Sequence, residues 1–174
     1  MYRGRRLTTV YSIDRLVGEA RRLAADYRRA TGKTLPVTAE IAVQDSIRLL
    51  GLKPAENAAG YDAIRERNGN VERIQVKGRA IFDESKSGHR LGQLKLDQPW
   101  DYVMLVLMDE NYEPVEIHEA DREILVETLN DPSASKRTAR GMISVARFKI
   151  IGRLLWTREH GLEEDGIWDN SAGR

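Results

Sequence analysis

The sequence predicts an α/β sandwich, a mixed β-sheet of four or five strands flanked by helices. Three features carry the prediction. Apolar residues recur with helical spacing over 12–31 and 39–50; Asn68-Gly69 separates two short strand-like runs; and Asp101–Met108 is a nearly continuous apolar run, the mark of a strand covered on both faces. At 174 residues one domain with its own core is the natural reading.

In the first helix Ile13, Leu16, Val17, Ala20, Leu23, Ala24 and Tyr27 form a stripe that Gly32 ends, and the arginines between them are predicted to face water. Thr38 is placed to cap a second helix, Ala39–Leu50, closed by Gly51 and buried through Ile41, Ile47 and Leu50. Glu40 and Gln44 sit one turn apart on a different face. In the hairpin that follows, the first strand carries Asp62. Along the second, Arg73, Gln75, Lys77 and Arg79 alternate with Ile74 and Val76, so the polar four share one face. Pairing across the Asn-Gly turn brings Asp62 towards Gln75 and Lys77.

Residues 83–99 are polar and hold two glycines, which reads as a loop. Pro114–His118 reads as a strand with Glu116 and His118 on an exposed face. Asp121 is placed to cap a helix through Leu129, and residues 130–141 have turn composition with three bases, Lys136, Arg137 and Arg140. Ser144 caps a last helix with Val145, Phe148, Ile151 and Leu155 on one stripe, ending near Trp156. Residues 1–160 are taken as the domain, with a basic helix at its N-terminal end, and 161–174 as an acidic, loosely held tail in which Trp168 is a candidate anchor.

Composition narrows the function classes. Cysteine is absent, which removes disulfides, thiolate zinc sites and cysteine nucleophiles and makes a cytoplasmic setting the expectation. No apolar leader or run of membrane-spanning length is present, so no membrane partner is expected. His89, His118 and His160 have no metal-ligand spacing and read as surface residues, and nucleotide-binding glycine loops and the hydrolase elbow are missing. Trp100 and Trp156 read as core. Net charge is only +1, but residues 1–33 hold nine bases against three acids, a surface suited either to phosphates or to plain solvation.

A helical Glu, then Gly60-Tyr61-Asp62-Ala63, then Gln75-Val76-Lys77 in a strand resembles the PD-(D/E)XK, or restriction-endonuclease-like, nuclease superfamily. Thirteen residues separate Asp62 from Gln75, within that family's spacing. The wider context over about residues 36–155 is similar to a bacterial branch with a Q-x-K variant motif, in which Gln44 stands where a second Glu is often found. The resemblance implies a three-layer restriction-endonuclease-like core, catalytic residues Glu40, Asp62, Gln75 and Lys77, and cleavage of DNA in restriction, repair or defence. It also implies Mg²⁺ (or Mn²⁺), with a homodimer expected by analogy.

The residues support a compatible chemistry. Phosphodiester hydrolysis needs a cation and a positioned water. Asp62, Glu40, the Gln75 amide oxygen and the Val76 carbonyl are the oxygen donors Mg²⁺ prefers. Lys77 is a point charge for the scissile phosphate or its water, and Arg73 and Arg79 are placed to grip flanking phosphates. The alternatives are a catalytically inactive module of the same fold that binds nucleic acid or protein, and a subunit whose basic helix docks an acidic partner.

Overall fold

The computed structural model describes residues 12–163. Arg3, Arg5 and Arg6 of the basic segment, and Trp168 with most of the acidic tail, lie outside the described residues.

Two helices come first. Helix α1 (Ile13–Thr31) starts at Ser12, whose hydroxyl accepts the Arg15 N–H, and ends at Gly32 with φ 71°. Helix α2 (Thr38–Leu50) ends at Gly51 with φ 65°. Thr38 is not its cap: it is the first helical residue, Val37 occupies the cap position, and no side chain accepts the first N–H groups. The buried stripe of α1 also differs from the expected one. Ala24 and Ala25 pack inward, while Ile13 and Leu23 are each 62% exposed. Buried with them is Arg21, whose guanidinium donates twice to Asp45 of α2, at 2.8 and 2.9 Å, and once to the Tyr112 carbonyl. A carboxylate as enclosed as Asp45 demands a countercharge, and this sets the rotation of α1.

The sheet has seven strands rather than four or five, in the sequential order β1-β2-β3-β4-β5-β6-β7. They are β1 (Lys53–Pro54), β2 (Ala63–Arg67), β3 (Asn70–Ala80), β4 (Tyr102–Met108), β5 (Pro114–Asp121), β6 (Arg153–Thr157) and β7 (Gly161–Leu162). Only β3 and β4 pair in parallel. The β2–β3 hairpin turns on Asn68 and Gly69, both with positive φ (51° and 78°), as the type I′ geometry of a two-residue loop requires. After β5 come α3 (Arg122–Asn130), capped by Asp121 as expected, the single turn α4 (Lys136–Ala139) and α5 (Val145–Ile151), capped by Ser144.

The last helix is shorter than its periodicity predicted. It stops at Gly152, where an added Cβ would lie 2.7 Å from the Glu119 carbonyl oxygen, and Leu155 and Trp156 belong to β6. Strand β7 pairs with β6, so the sheet continues past residue 160.

Alternation divides the core in two. Ile74, Val76, Ala80, Met104 and Val106 pack beneath α1 and α2. Val103, Leu105 and Leu107 pack on the other face with Leu91, Leu94 and Trp100 of the 81–101 connection and with Leu125 and Phe148 of α3 and α5. Three layers result, with β4 buried on both faces as its apolar run required. The β3-to-β4 crossover is an extended loop that covers its face with Leu91, Leu94 and Trp100.

Two sites report on this packing. Helix α2 crosses β3 at Gly78, where an added Cβ would sit 2.7 Å from the Ala42 Cβ and 2.8 Å from the Thr38 carbonyl oxygen. His118, expected at the surface, is 5% exposed; its Nε2 pairs with Glu116 Oε2 at 2.8 Å, and Lys149 reaches the same oxygen. Burial pushes the imidazole below its ordinary value of 6.5, with Glu116 opposing. Among the described residues no helix is long and apolar enough to cross a membrane.

Gly78→Ala is expected to destabilise the fold by about 1–3 kcal/mol, read as a lower urea midpoint at unchanged slope. Because folding depresses the His118 pKa, its contribution is complete above the unfolded value and lost as pH falls below about 6.5. Urea unfolding at pH about 7.5 and about 5.5 checks this: the acid-side loss is smaller in His118→Gln than in the parent.

Candidate metal and phosphate site

The hairpin register sets the site. Ala63 pairs with Ile74, so Asp62, just before β2 begins, stands across from Gln75. The Asp62 N–H donates to the Ile74 carbonyl at 2.8 Å, the last backbone bond of that ladder. The next donor on β3, the Val76 N–H, has no β2 backbone opposite it and donates to Asp62 Oδ2 at 2.7 Å. A residue's N–H and C=O leave the same side of a strand, so the Val76 carbonyl points towards this edge too. Asp62 Oδ1 makes no hydrogen bond among the described residues.

Gln75 is 7% exposed, and its Nε2 donates to the Gly60 carbonyl at 3.2 Å and to Gln98 Oε1 at 2.9 Å. The Gly60 carbonyl can only accept, which fixes the amide's orientation. Its other atom, Oε1, is enclosed and has no partner among the described residues. Gly60 has φ 93°, and an added Cβ would meet Gln98 Cβ and Pro99 Cδ at 2.9 Å, so this turn is closed to larger residues.

Lys77 is half-buried on the same face, and its Nζ donates to the Gln93 carbonyl at 3.1 Å. Burial pushes its ammonium pKa down and nearby Lys95 adds to the shift, while Asp62 pulls the other way. A lysine held in this state is a candidate for proton transfer as well as for phosphate contact.

The structure thus gathers Asp62, Gln75, Val76 and Lys77, and leaves two expected residues out. Glu40 is exposed on α2, about 160° around the helix from Ala42, which faces the sheet over Gly78. Moreover, α2 covers the Ile74–Val76 face of the sheet, whereas Gln75 and Lys77 extend from the other. Arg73 lies on the expected face but is occupied: its Nε and Nη2 form a two-pronged pair with Asp101 at 2.9 Å each, and its own N–H donates to Asp101 Oδ2. That pairing holds the Asp101 carboxyl below the usual carboxylate range. Arg79 is exposed, with no hydrogen bond or ion pair among the described residues, and remains available to a phosphate.

The loop that resisted reading supplies the remaining parts. Gln93 and Gln98 hold Lys77 and Gln75, and Lys95 shapes the local field. Arg122 fixes this loop, donating to the carbonyls of Leu96, Gln98 and Trp100 while lying 4.5 Å from the Trp100 ring centroid. The glycines and the Gln-Pro-Trp ending were the available signals, but nothing in them named a partner on β3.

The donors suit a hard cation: one carboxylate oxygen, one enclosed amide oxygen without a hydrogen bond, and a backbone carbonyl. Mg²⁺ is commonly held by one or two carboxylates and keeps several waters. Among the described residues no three His, Cys, Asp or Glu side chains form a group that could hold a metal ion, and Asp62 is the one carboxylate among the four gathered residues.

No protein-family model and no curated protein sequence matches the chain. Among solved structures, the chain is similar to the bacterial homing endonuclease I-Ssp6803I, with 15% identity over 63% of this chain and 86% of that one. The TM-score is 0.40, at which the likeness decides nothing about this chain's chemistry.

Gln75→Glu tests the amide. The variant loses the donor to the Gly60 carbonyl and is expected to cost about 1–3 kcal/mol without metal. Added Mn²⁺ restores more thermal stability to the variant than to the parent, because the new carboxylate faces Asp62. Equal Mn²⁺ stabilisation of both proteins contradicts a metal at this position.

Proposed function

We propose that the chain is a metal-dependent nuclease that hydrolyses phosphodiester bonds of DNA. Asp62, Gln75 and the Val76 carbonyl are the residues that would hold Mg²⁺ (or Mn²⁺), and Lys77 acts at the scissile phosphate. The observation that carries the proposal is the enclosed Gln75 Oε1, an acceptor without a donor, beside a carboxylate with a free oxygen and a lysine of lowered pKa. A buried acceptor left unpaired is costly, and a cation ligated there removes that cost. When bound, the cation neutralises charge on the phosphate and acidifies a water.

The chain's own groups supply the rest. Asp62 uses one oxygen to end the hairpin ladder and presents the other to the ligand side. Lys77, held by the Gln93 carbonyl, places its ammonium against phosphate oxygens or, as the neutral amine that burial favours, takes a proton from the attacking water. Arg79, two residues further along β3, grips a flanking phosphate.

A second reading has its own observation. With Glu40 turned outward and Gln75 neutral, one carboxylate remains, which favours a module of the same fold that binds nucleic acid without cutting it.

Cleavage of duplex, single-stranded and branched DNA with Mg²⁺ or Mn²⁺ separates the readings. Asp62→Asn keeps an acceptor for the Val76 N–H and so preserves the hairpin while removing the charge. It and Lys77→Ala are each expected to lower the rate by about 10²-fold or more, and Glu40→Gln to leave it within about twofold. Activity that survives both Asp62→Asn and Lys77→Ala refutes the nuclease assignment. Salt-sensitive DNA binding without cleavage by the parent supports the second reading.

A further inference from the structure

A second concentration of positive charge lies near the end of β3, around a cavity of about 470 Å³. Arg28 of α1, Arg79 of β3, and Lys86 and His89 of the crossover loop line it, together with the hydroxyl-bearing Thr34 and Thr38. The Arg28 guanidinium lies over the Phe82 ring, 3.7 Å from its centroid. Stacked in this way, its N–H groups remain directed outward in the guanidinium plane. Neither Arg28 nor Arg79 has a carboxylate partner among the described residues. The one acid of the lining, Asp83, already accepts from the Ser85 N–H and hydroxyl and lies 3.7 Å from Lys86.

Two further features favour an anion. His89 Nε2 is enclosed and has no partner among the described residues, while the His89 carbonyl is fixed by the Val145 N–H. Thr38 begins α2, and with Val37 in the cap position no side chain accepts the first N–H groups, so the positive end of the helix is left open beside the cavity. Arg28 and Arg79 without an acid partner among the described residues, the Lys86–Asp83 pair, an unpartnered imidazole nitrogen and a helix start without a side-chain cap leave the lining with a surplus of positive charge.

We infer that this cavity is a phosphate-binding pocket, taking a phosphate group from a nucleic-acid strand or from a small phosphate-bearing molecule. The unpaired guanidinium groups suit the oxygens and the charge of a phosphate, and the volume exceeds what one phosphate fills, leaving room for an attached sugar. Arg79 is about 6.6 Å along β3 from Lys77, so a strand phosphate held here lies close to the group engaged by Lys77. The pocket shares Arg79 with the proposed nuclease surface, but phosphate binding there does not require the chain to cleave DNA.

The test uses the full chain with EDTA present, so that no cleavage occurs. Inorganic phosphate is titrated first by calorimetry, then a short single-stranded oligonucleotide with and without a 5′-phosphate. Saturable phosphate binding is expected, weakened about tenfold by Arg79→Ala and further by Arg79→Ala with Lys86→Ala, with circular dichroism confirming that both remain folded. A preference for the phosphorylated oligonucleotide that the same variants abolish identifies a strand end as the source. Phosphate binding without that preference identifies an internal or small-molecule phosphate; both support the pocket. Asp62→Asn is expected to bind phosphate as the parent does, which keeps this result separate from failure of the nuclease proposal. Absence of saturable phosphate binding, affinity unchanged in the folded variants, or loss of binding in Asp62→Asn overturns the inference.

Discussion

The hydrogen bond from the Val76 N–H to Asp62 Oδ2 is the contact on which the local architecture depends. Without it a backbone donor inside the sheet would be unpaired where β2 has not yet begun, at a cost of about 1–3 kcal/mol. Satisfying that donor with a side chain fixes the carboxylate at the strand edge, one oxygen committed and the other open. Everything else in the site follows from its position. Gly60 turns the chain into place, Gln75 ties back to the Gly60 carbonyl, and Lys77 emerges one alternation later on the same face. The crossover loop then closes over them, with Arg122 holding it by three carbonyls.

Strand β3 therefore serves two masters at once. Its Ile74–Val76 face is packed under α2, which approaches so closely at Gly78 that no side chain fits. Its other face carries the polar groups. Gly78 thus links two functions of the strand: it admits the start of α2, and it separates Lys77 from Arg79, so that the candidate catalytic lysine and the basic cavity lie on neighbouring stretches of one rigid element. Rigid elements hold reacting groups more closely than loops do.

Much of this was legible in the residues. The Asn68-Gly69 turn and the alternation after it fixed the hairpin register, and that register alone put Asp62 across from Gln75. The apolar run of β4 announced burial on both faces. What failed were inferences needing long-range partners. Arg73 looked free because Asp101 is distant in sequence, and Glu40 looked convergent because helix order says nothing about which way the helix is rotated. The rotation of α1 was hidden too, since it depends on the buried Arg21–Asp45 pair. Strand β6 was read as helix because Phe148, Ile151 and Leu155 keep helical spacing across Gly152, where contact with the Glu119 carbonyl ends the helix. The two-residue edge strands β1 and β7 are too short to leave any period.

The cation that we propose for Asp62, Gln75 and Val76 is open to a direct test. Paramagnetic broadening by sub-stoichiometric Mn²⁺ in ¹H–¹⁵N spectra of the folded chain tests it most directly, without DNA and without turnover. The backbone amides of Asp62 and Val76 and the Gln75 side-chain amide are expected to broaden first, with Glu40 on α2 spared and the effect abolished in Asp62→Asn. Broadening centred on α2 or on the acidic loops, or none at all in the parent protein, would contradict the proposal.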